Sequence, residues 1–182
     1  MIEFKIINEF LTKEECKNLL DYSLKNLDLK VAKILTDDGP IIDPHRKSKV
    51  SFDRYSGFNF LNEKVNDLVS DTYSIDGHTM VHNDKGYQFT SYETGEYYNW
   101  HTDSSNGRYC SVVINLNDEY DGGDLELRFE DKIVKLKNGA GNCIIFLSNT
   151  EHRVIEVTNG TRYSLVNWLI LKENKENKKS II

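Results

Sequence analysis

Two periodicities divide the chain. In the first part, apolar residues recur every three or four positions. Beyond Tyr87 they form short runs with a two-residue alternation. In "FLTKEECKNLLDYSLKNL", Cys16, Leu19, Leu20, Leu24 and Leu27 fall at helical spacing. Thr12 and Glu15 make a capping box at its start. Leu61, Val65, Leu68 and Val69 share one face of a second expected helix around 61–69. Between the two, "TDDGPIIDPHRKSK" is polar, holds both prolines and reads as a loop. Later come "YQFTSY", "CSVVINL", "DLELRF", "KIVKL", "NCIIFL", "HRVIEV" and "TRYSLVNWLIL", separated by turns such as "DEYDGG" and "KNGAG". Many short strands with close-spaced turns predict a mainly β fold, a sandwich or jelly roll. The N-terminal helices then cover one face. With no repeat and no long linker, the reading is one domain over 1–172. Residues 1–80 form its helical support and 81–172 its β core. The charged tail, 173–182, is expected to be disordered.

Composition narrows the class. A chain of 182 residues with 38% hydrophobic and 29% charged positions can bury a core and is not disordered. The net charge of -6 argues against a phosphate-binding surface, so no nucleic-acid partner is expected. No run approaches the roughly 20 apolar residues of a membrane span, and "MIEFKIINEF" lacks the pattern of a signal peptide. Cys16, Cys110 and Cys143 lack metal-type spacing and sit in apolar patterns. They read as reduced core thiols, which implies the cytoplasm. Oligomeric state is not legible.

The candidate chemistry starts at "YYNWHTDSSNGR". In extended chain, residues i and i+2 project to one side, roughly 6.6 Å apart. His101 and Asp103 can therefore reach one ion. Alone, such a pair is more often a hydrogen-bonded loop. His152, at the start of a later strand, changes the balance. Two histidines and a carboxylate make the facial triad of non-haem Fe(II) oxygenases, with three positions left open. Arg162 lies in an otherwise apolar strand, where a buried guanidinium needs an anion. A dicarboxylate held by iron at one end and by Arg162 at the other, through a bidentate fork, would balance the formal charges. The plainer reading of Arg162 is an exposed strand arginine.

Strand parity links these residues. If "TNG" is a three-residue hairpin loop, with Gly160 left-handed, His152 and Arg162 share a face. A two-residue loop would point them apart. The three-residue or bulged loop is therefore expected. That face then carries Ser164, Val166 and Trp168. Ser111, Val113 and Asn115 form the matching site face of the strand after the opening motif, unless Asn115 only satisfies a core hydrogen bond.

Together, Tyr92, Gly95, Tyr98, His101 and Asp103 ("Y-x-x-G-x-x-Y-x-x-H-x-D"), "YDGGDLEL" and "H-x(9)-R" into "RYSLVNW" resemble the 2-oxoglutarate/Fe(II)-dependent dioxygenases. The branch is the prolyl 4-hydroxylase-like one, with "DEYDGGDLEL" and "HRVIEVTNGTR" most similar to its PKHD-type members. The resemblance implies a double-stranded β-helix with supporting helices. It implies that His101, Asp103 and His152 hold Fe(II). Arg162 would bind the distal carboxylate of 2-oxoglutarate, and Tyr92 would line that pocket. Asn115 falls where some relatives use a tyrosine for the same carboxylate, and Trp168 matches a tryptophan beside the iron. Arg108 falls near a substrate-facing arginine. In the aromatic run "YETGEYYNW", Tyr98 and Trp100 are the candidates for substrate contact at the rim. The implied cosubstrates are 2-oxoglutarate and O2, with ascorbate as a further candidate. The implied reaction hydroxylates a substrate and releases succinate and CO2. A peptidyl residue such as proline is the expected substrate, with a free amino acid or other small molecule as the alternative.

Nucleic-acid repair relatives resemble R-x(5)-R at the last strand, whereas Trp168 stands six residues after Arg162. A cupin-like binding module would hold a metal or ligand without turnover, and the triad with Arg162 argues against it. A purely structural role would require four residues in order by accident. His78 and His82, four apart in "HTMVH", lack the surroundings of a zinc pair and read as surface histidines flanking a strand. Residues 36–50 are a candidate substrate lid, and "SSNGR" a loop beside the iron.

Overall fold

The structure, a computed structural model, describes residues 3–36, 39–130, 132–136 and 139–174. In its first half, β1 (Phe4–Ile7) precedes α1 (Lys13–Asn26). Then come β2 (Lys30–Val31), β3 (Ile34–Thr36), β4 (Gly39–Ile41), β5 (Arg46–Lys47) and β6 (Lys49–Asp53). Helix α2 (Asn59–Thr72) leads into β7 (His78–His82), β8 (Tyr87–Glu93) and β9 (Tyr97–His101). The second half is all strand: β10 (Arg108–Asn115), β11 (Tyr120–Gly122), β12 (Leu125–Phe129) and β13 (Lys132–Leu136). It ends with β14 (Cys143–Leu147), β15 (Glu151–Val154) and the long β16 (Val157–Glu173).

The larger sheet has the order β1-β14-β10-β16-β8-β6-β2, and β16 also pairs with β11 and β7. The smaller sheet runs β13-β12-β15-β9-β5. A separate hairpin joins β3 to β4. The helices and antiparallel strands make the expected mainly β architecture. No helix among the described residues is long and apolar enough to cross a membrane.

Alternation explains how one sheet serves both a core and a cavity. Tyr87, Phe89, Cys110, Val112, Ile114, Cys143, Ile145, Leu165 and Leu169 pack with the helices as one buried cluster. From α1 and α2 come Cys16, Leu19, Leu61, Val65, Leu68 and Val69. Burying one such aliphatic side chain contributes on the order of 2 kcal/mol. This face can carry most of the stability, which frees the other for polar groups. The residues between them, among them Ser111, Val113, Arg162, Ser164, Val166 and Trp168, face the other way.

Thr12 and Glu15 form the reciprocal capping box on α1, as the sequence implies. Leu24 does not join the core; it is exposed, and Ser23 turns inward to meet the Tyr55 hydroxyl at 2.6 Å. The helical period set at Cys16 and Leu19 selects position 23, and a partner across the interface makes serine acceptable there.

Three other expectations are corrected. The polar stretch after α1 is not a loop throughout: β3, β4 and β5 lie within it, and β6 follows at once. Residues 37–38 lie outside the described residues. The "TNG" turn does not form. Strand β15 pairs with β12 and β9, while β16 pairs with β11 at Val157, Asn159 and Gly160. The two therefore lie in different sheets, and Thr158–Gly160 is strand. Finally, β16 runs through Glu173, and the Asn174 amide donates to the Gly77 carbonyl at 2.8 Å. The rest of the expected tail, 175–182, lies outside the described residues.

Candidate active site

His101 ends β9 and His152 lies in β15, where the two are directly paired across the ladder. Asp103 follows two residues after His101. His152 Nε2 lies 3.5 Å from Asp103 Oδ2, and His101 Nε2 lies 3.9 Å from Oδ1. One ligand atom from each of the three falls within 4.8 Å of the others, so all can meet one ion.

A bulge sets this geometry. His152 pairs with His101 but Val154 pairs with Tyr98, so β9 uses three steps where β15 uses two. The extra residue lets Tyr98 and His101 face the same side. Their rings stack with centroids 3.5 Å apart, and the Arg46 guanidinium lies 4.5 Å from the Tyr98 ring centroid.

Each imidazole is oriented from behind. His101 Nδ1 bonds the Asn99 carbonyl at 2.8 Å, and His152 Nδ1 bonds the Thr150 carbonyl at 2.9 Å. In each, Nδ1 carries the proton and Nε2 keeps its lone pair toward the centre. The Ser111 hydroxyl donates to Asp103 Oδ2 at 2.8 Å and lies 3.0 Å from the Ser148 hydroxyl. The Asp103 amide donates to the Ser148 carbonyl at 2.7 Å. Burial first, then His152 and Arg46, hold the His101 imidazole down to about 3, against the pull of Asp103 and the Asn99 carbonyl. Burial raises the Asp103 carboxyl, but His152, His101, Trp168 and Ser111 outweigh it and hold it below its usual value. The centre thus offers a neutral imidazole and a carboxylate at neutral pH, the states a metal requires.

Arg162 projects into the same cavity, which has a volume of about 830 Å³. Its side chain is 1% exposed. Nη1 donates to Ser164 Oγ at 3.1 Å, whereas among the described residues Nε and Nη2 have no partner. The Tyr92 ring centroid lies 5.6 Å from its Cζ, across the β16–β8 ladder. Gly123 makes room for it. With φ +65°, an added Cβ there would lie 3.2 Å from Arg162 Cδ and 2.9 Å from Val157 Cγ2.

The residues present fit both expected groups. Two imidazoles and a carboxylate on one side suit a divalent iron with open positions. Two orphaned, buried N–H donors on a guanidinium suit one end of a dicarboxylate. Val113, Tyr92 and Leu125 give the cavity apolar wall.

The structure also sorts the remaining candidates. Tyr92, Tyr98, Arg108 and Trp168 line the cavity with the triad and Arg162. The Arg108 guanidinium lies over the Trp168 ring at 3.8 Å. The Trp168 indole N–H is buried and falls short of a formed hydrogen bond. Asn115 does not line the cavity, because its amide is taken by the Asn117 carbonyl and by the Tyr120 hydroxyl at 3.1 Å. Trp100 also lies outside the cavity. It follows Asn99 in the bulge and sits between Arg128 and Arg153, at 4.0 and 4.6 Å. His78 and His82 lie within β7 and are half-buried, and His82 is held by Asn66 and Asn167. In the loop after Asp103, Ser105 and Asn106 reach the cavity. Sequence reasoning missed Arg46 and Ser148. Arg46 lies in the polar stretch that reads as a loop, and a serine that acts through another serine leaves no sequence signal.

A family model for the 2OG-Fe(II) oxygenase superfamily matches residues 87–170. A PKHD-type hydroxylase of Prochlorococcus marinus is 35% identical over 130 residues, 68% of this chain and 56% of that protein. The chain spans about half the length of the curated relatives it matches. Among solved structures, a Pseudomonas putida prolyl-4-hydroxylase aligns with TM-score 0.73 at 18% identity, covering 92% of each chain. A prolyl hydroxylase from Trichoplax adhaerens, in complex with a hypoxia inducible factor oxygen degradation domain peptide fragment, aligns with TM-score 0.71 at 23% identity. It covers 92% of this chain and 83% of that one. These structural likenesses share the jelly-roll fold.

Proposed function

Because residues 87–170 belong to the 2OG-Fe(II) oxygenase superfamily, we propose that the chain hydroxylates a substrate with Fe(II), 2-oxoglutarate and O2, releasing succinate and CO2. The observation that carries this reading is the pairing of two features in one cavity. A His-Asp-His cluster can hold the metal, and a buried arginine with free donors stands where the cosubstrate's far end would lie.

His101, Asp103 and His152 would hold the iron. When bound, it would supply the oxidative chemistry, with 2-oxoglutarate and the substrate each giving two of the four electrons that O2 takes up. The protein's own part is positional. Arg162 binds and orients the distal carboxylate, with Ser164 fixing the guanidinium. Ser111 and the two backbone carbonyls orient the ligands. The buried walls of the cavity exclude water from the reacting centre.

The substrate is read as a peptidyl residue, with proline the leading case, as in the prolyl hydroxylases this fold resembles. The relatives' name and the peptide-bound neighbour point the same way. Three buried, unpaired thiols and a ferrous centre suit a reducing compartment, the cytoplasm. The test is mass spectrometry on proline-containing peptides incubated with enzyme, Fe(II) and 2-oxoglutarate. A product heavier by one oxygen atom, absent without 2-oxoglutarate, supports the reading. Unmodified peptides throughout, with oxidised free amino acids instead, favour the small-molecule alternative.

A further inference from the structure

The mouth of the cavity is basic in an acidic protein. Among the described residues, and apart from the metal centre and the buried Arg162, the charged residues lining it are Lys30, Lys33, Arg46, Lys85, Arg108 and Asp28. Five are cations and one is an acid, while the whole chain carries -6. That acid is already used, since Asp28 lies 3.5 Å from Lys30. Among the described residues, no carboxylate pairs with Lys33, Arg46, Lys85 or Arg108. Three of these cations rest on aromatic faces instead. Arg46 lies over Tyr98 at 4.5 Å, Lys85 over Phe52 at 5.2 Å and Arg108 over Trp168 at 3.8 Å. A ring holds a cation in place without neutralising it, which leaves the donors available to a ligand.

These cations come from separate elements that share only the opening. They lie on β5, on the start of β10, between β2 and β3, and in the turn before β8. A cleft lined by one sign of charge concentrates ligands of the other sign. We propose that the mouth selects an acidic peptide, with Asp or Glu side chains flanking the residue presented to the metal. This deepens the oxygenase reading and rests on it. The residue at the iron is neutral, so the charges act on the flanks.

The test uses the holoenzyme, loaded with Fe(II) and 2-oxoglutarate without oxygen. Three fluorescent peptides of equal length carry a central proline flanked by Glu, Gln or Lys. Glu-flanked peptide should bind about tenfold tighter than Lys-flanked peptide at low salt, with Gln between. The preference should shrink as salt shortens the screening length from about 10 Å at 0.1 M to about 3 Å at 1 M. In Lys33→Gln/Lys85→Gln the preference should collapse, while Lys33→Arg/Lys85→Arg should keep it. Equal affinities, the reverse order or no binding of any peptide would overturn the proposal. So would a single-stranded oligonucleotide that displaces the Glu peptide more effectively than unlabelled Glu peptide does. Succinate formation on admitting oxygen is read separately. A charge preference without any succinate would leave the acidic-ligand site standing and remove the oxygenase reading.

Discussion

The Ser111 hydroxyl donates to Asp103 Oδ2 at 2.8 Å, from a strand of the larger sheet to the residue that follows the end of a strand of the smaller one. This bond ties the carboxylate to the wall opposite the histidines. Loss of such an outer contact typically weakens a metal site 10- to 100-fold. Ser111→Ala should therefore bind Mn(II), a redox-quiet stand-in for iron, at least about tenfold more weakly. Unchanged affinity would mean that the backbone alone orients Asp103.

Arg162 is a buried cation whose only hydrogen bond among the described residues is to a serine hydroxyl. An unpaired buried charge costs stability, and the bound anion relieves that cost. Arg162→Met should weaken 2-oxoglutarate binding at least thirtyfold, since losing one partner of a buried charge pair costs about 2–5 kcal/mol. The same variant without ligand should unfold at a temperature no lower than the parent's. Calorimetry on both proteins, with and without 2-oxoglutarate, checks both halves.

Gly123 should act through Arg162. An alanine there meets Val157 and Arg162 while holding a left-handed backbone, which costs roughly 1–2 kcal/mol by itself. Gly123→Ala should raise KM for 2-oxoglutarate several-fold more than it changes kcat. A variant that only loses thermal stability would make Gly123 a turn residue and nothing more.

Acid should destabilise the metal-free protein through the site. An unfolded imidazole takes a proton near pH 6.5. Folded His101 holds out to about 3, because it is buried and faces His152 and Arg46. The unfolded state then binds more protons between these values, and stability falls as pH drops from 6.5 toward 3. The lowered Asp103 works in the same direction at the acid end. In chelator, His101→Gln should flatten the fall in unfolding temperature across this window. An identical slope in the variant would assign the effect to other groups.

Much of the site was legible because its chemistry is carried by few residues with strong constraints. His101 and Asp103 lie two positions apart in the chain, His101 at the end of β9 and Asp103 just beyond it. His152 and Arg162 are residue types that rarely sit in apolar strands without a partner. What brings them together was not legible. A "TNG" hairpin would join His152 to Arg162 directly, yet the two lie in different sheets that face one cavity. The face assignment of Arg162 came out right because alternation within β16 is local. The hairpin failed because strand partners are chosen by long-range packing. Trp100 was misplaced by a bulge, which sequence periodicity does not reveal, and Asn115 by the Tyr120 hydroxyl that claims its amide. The short strands before α2 were hidden in a polar stretch, since edge strands carry no apolar alternation.

The most direct measurement is succinate release from 2-oxoglutarate by the parent chain and by Asp103→Ala, each with and without Fe(II). Release that needs both Fe(II) and Asp103 is the expected result. No release under any condition, or equal release from Asp103→Ala, would contradict the assignment of this cavity as an iron and 2-oxoglutarate site.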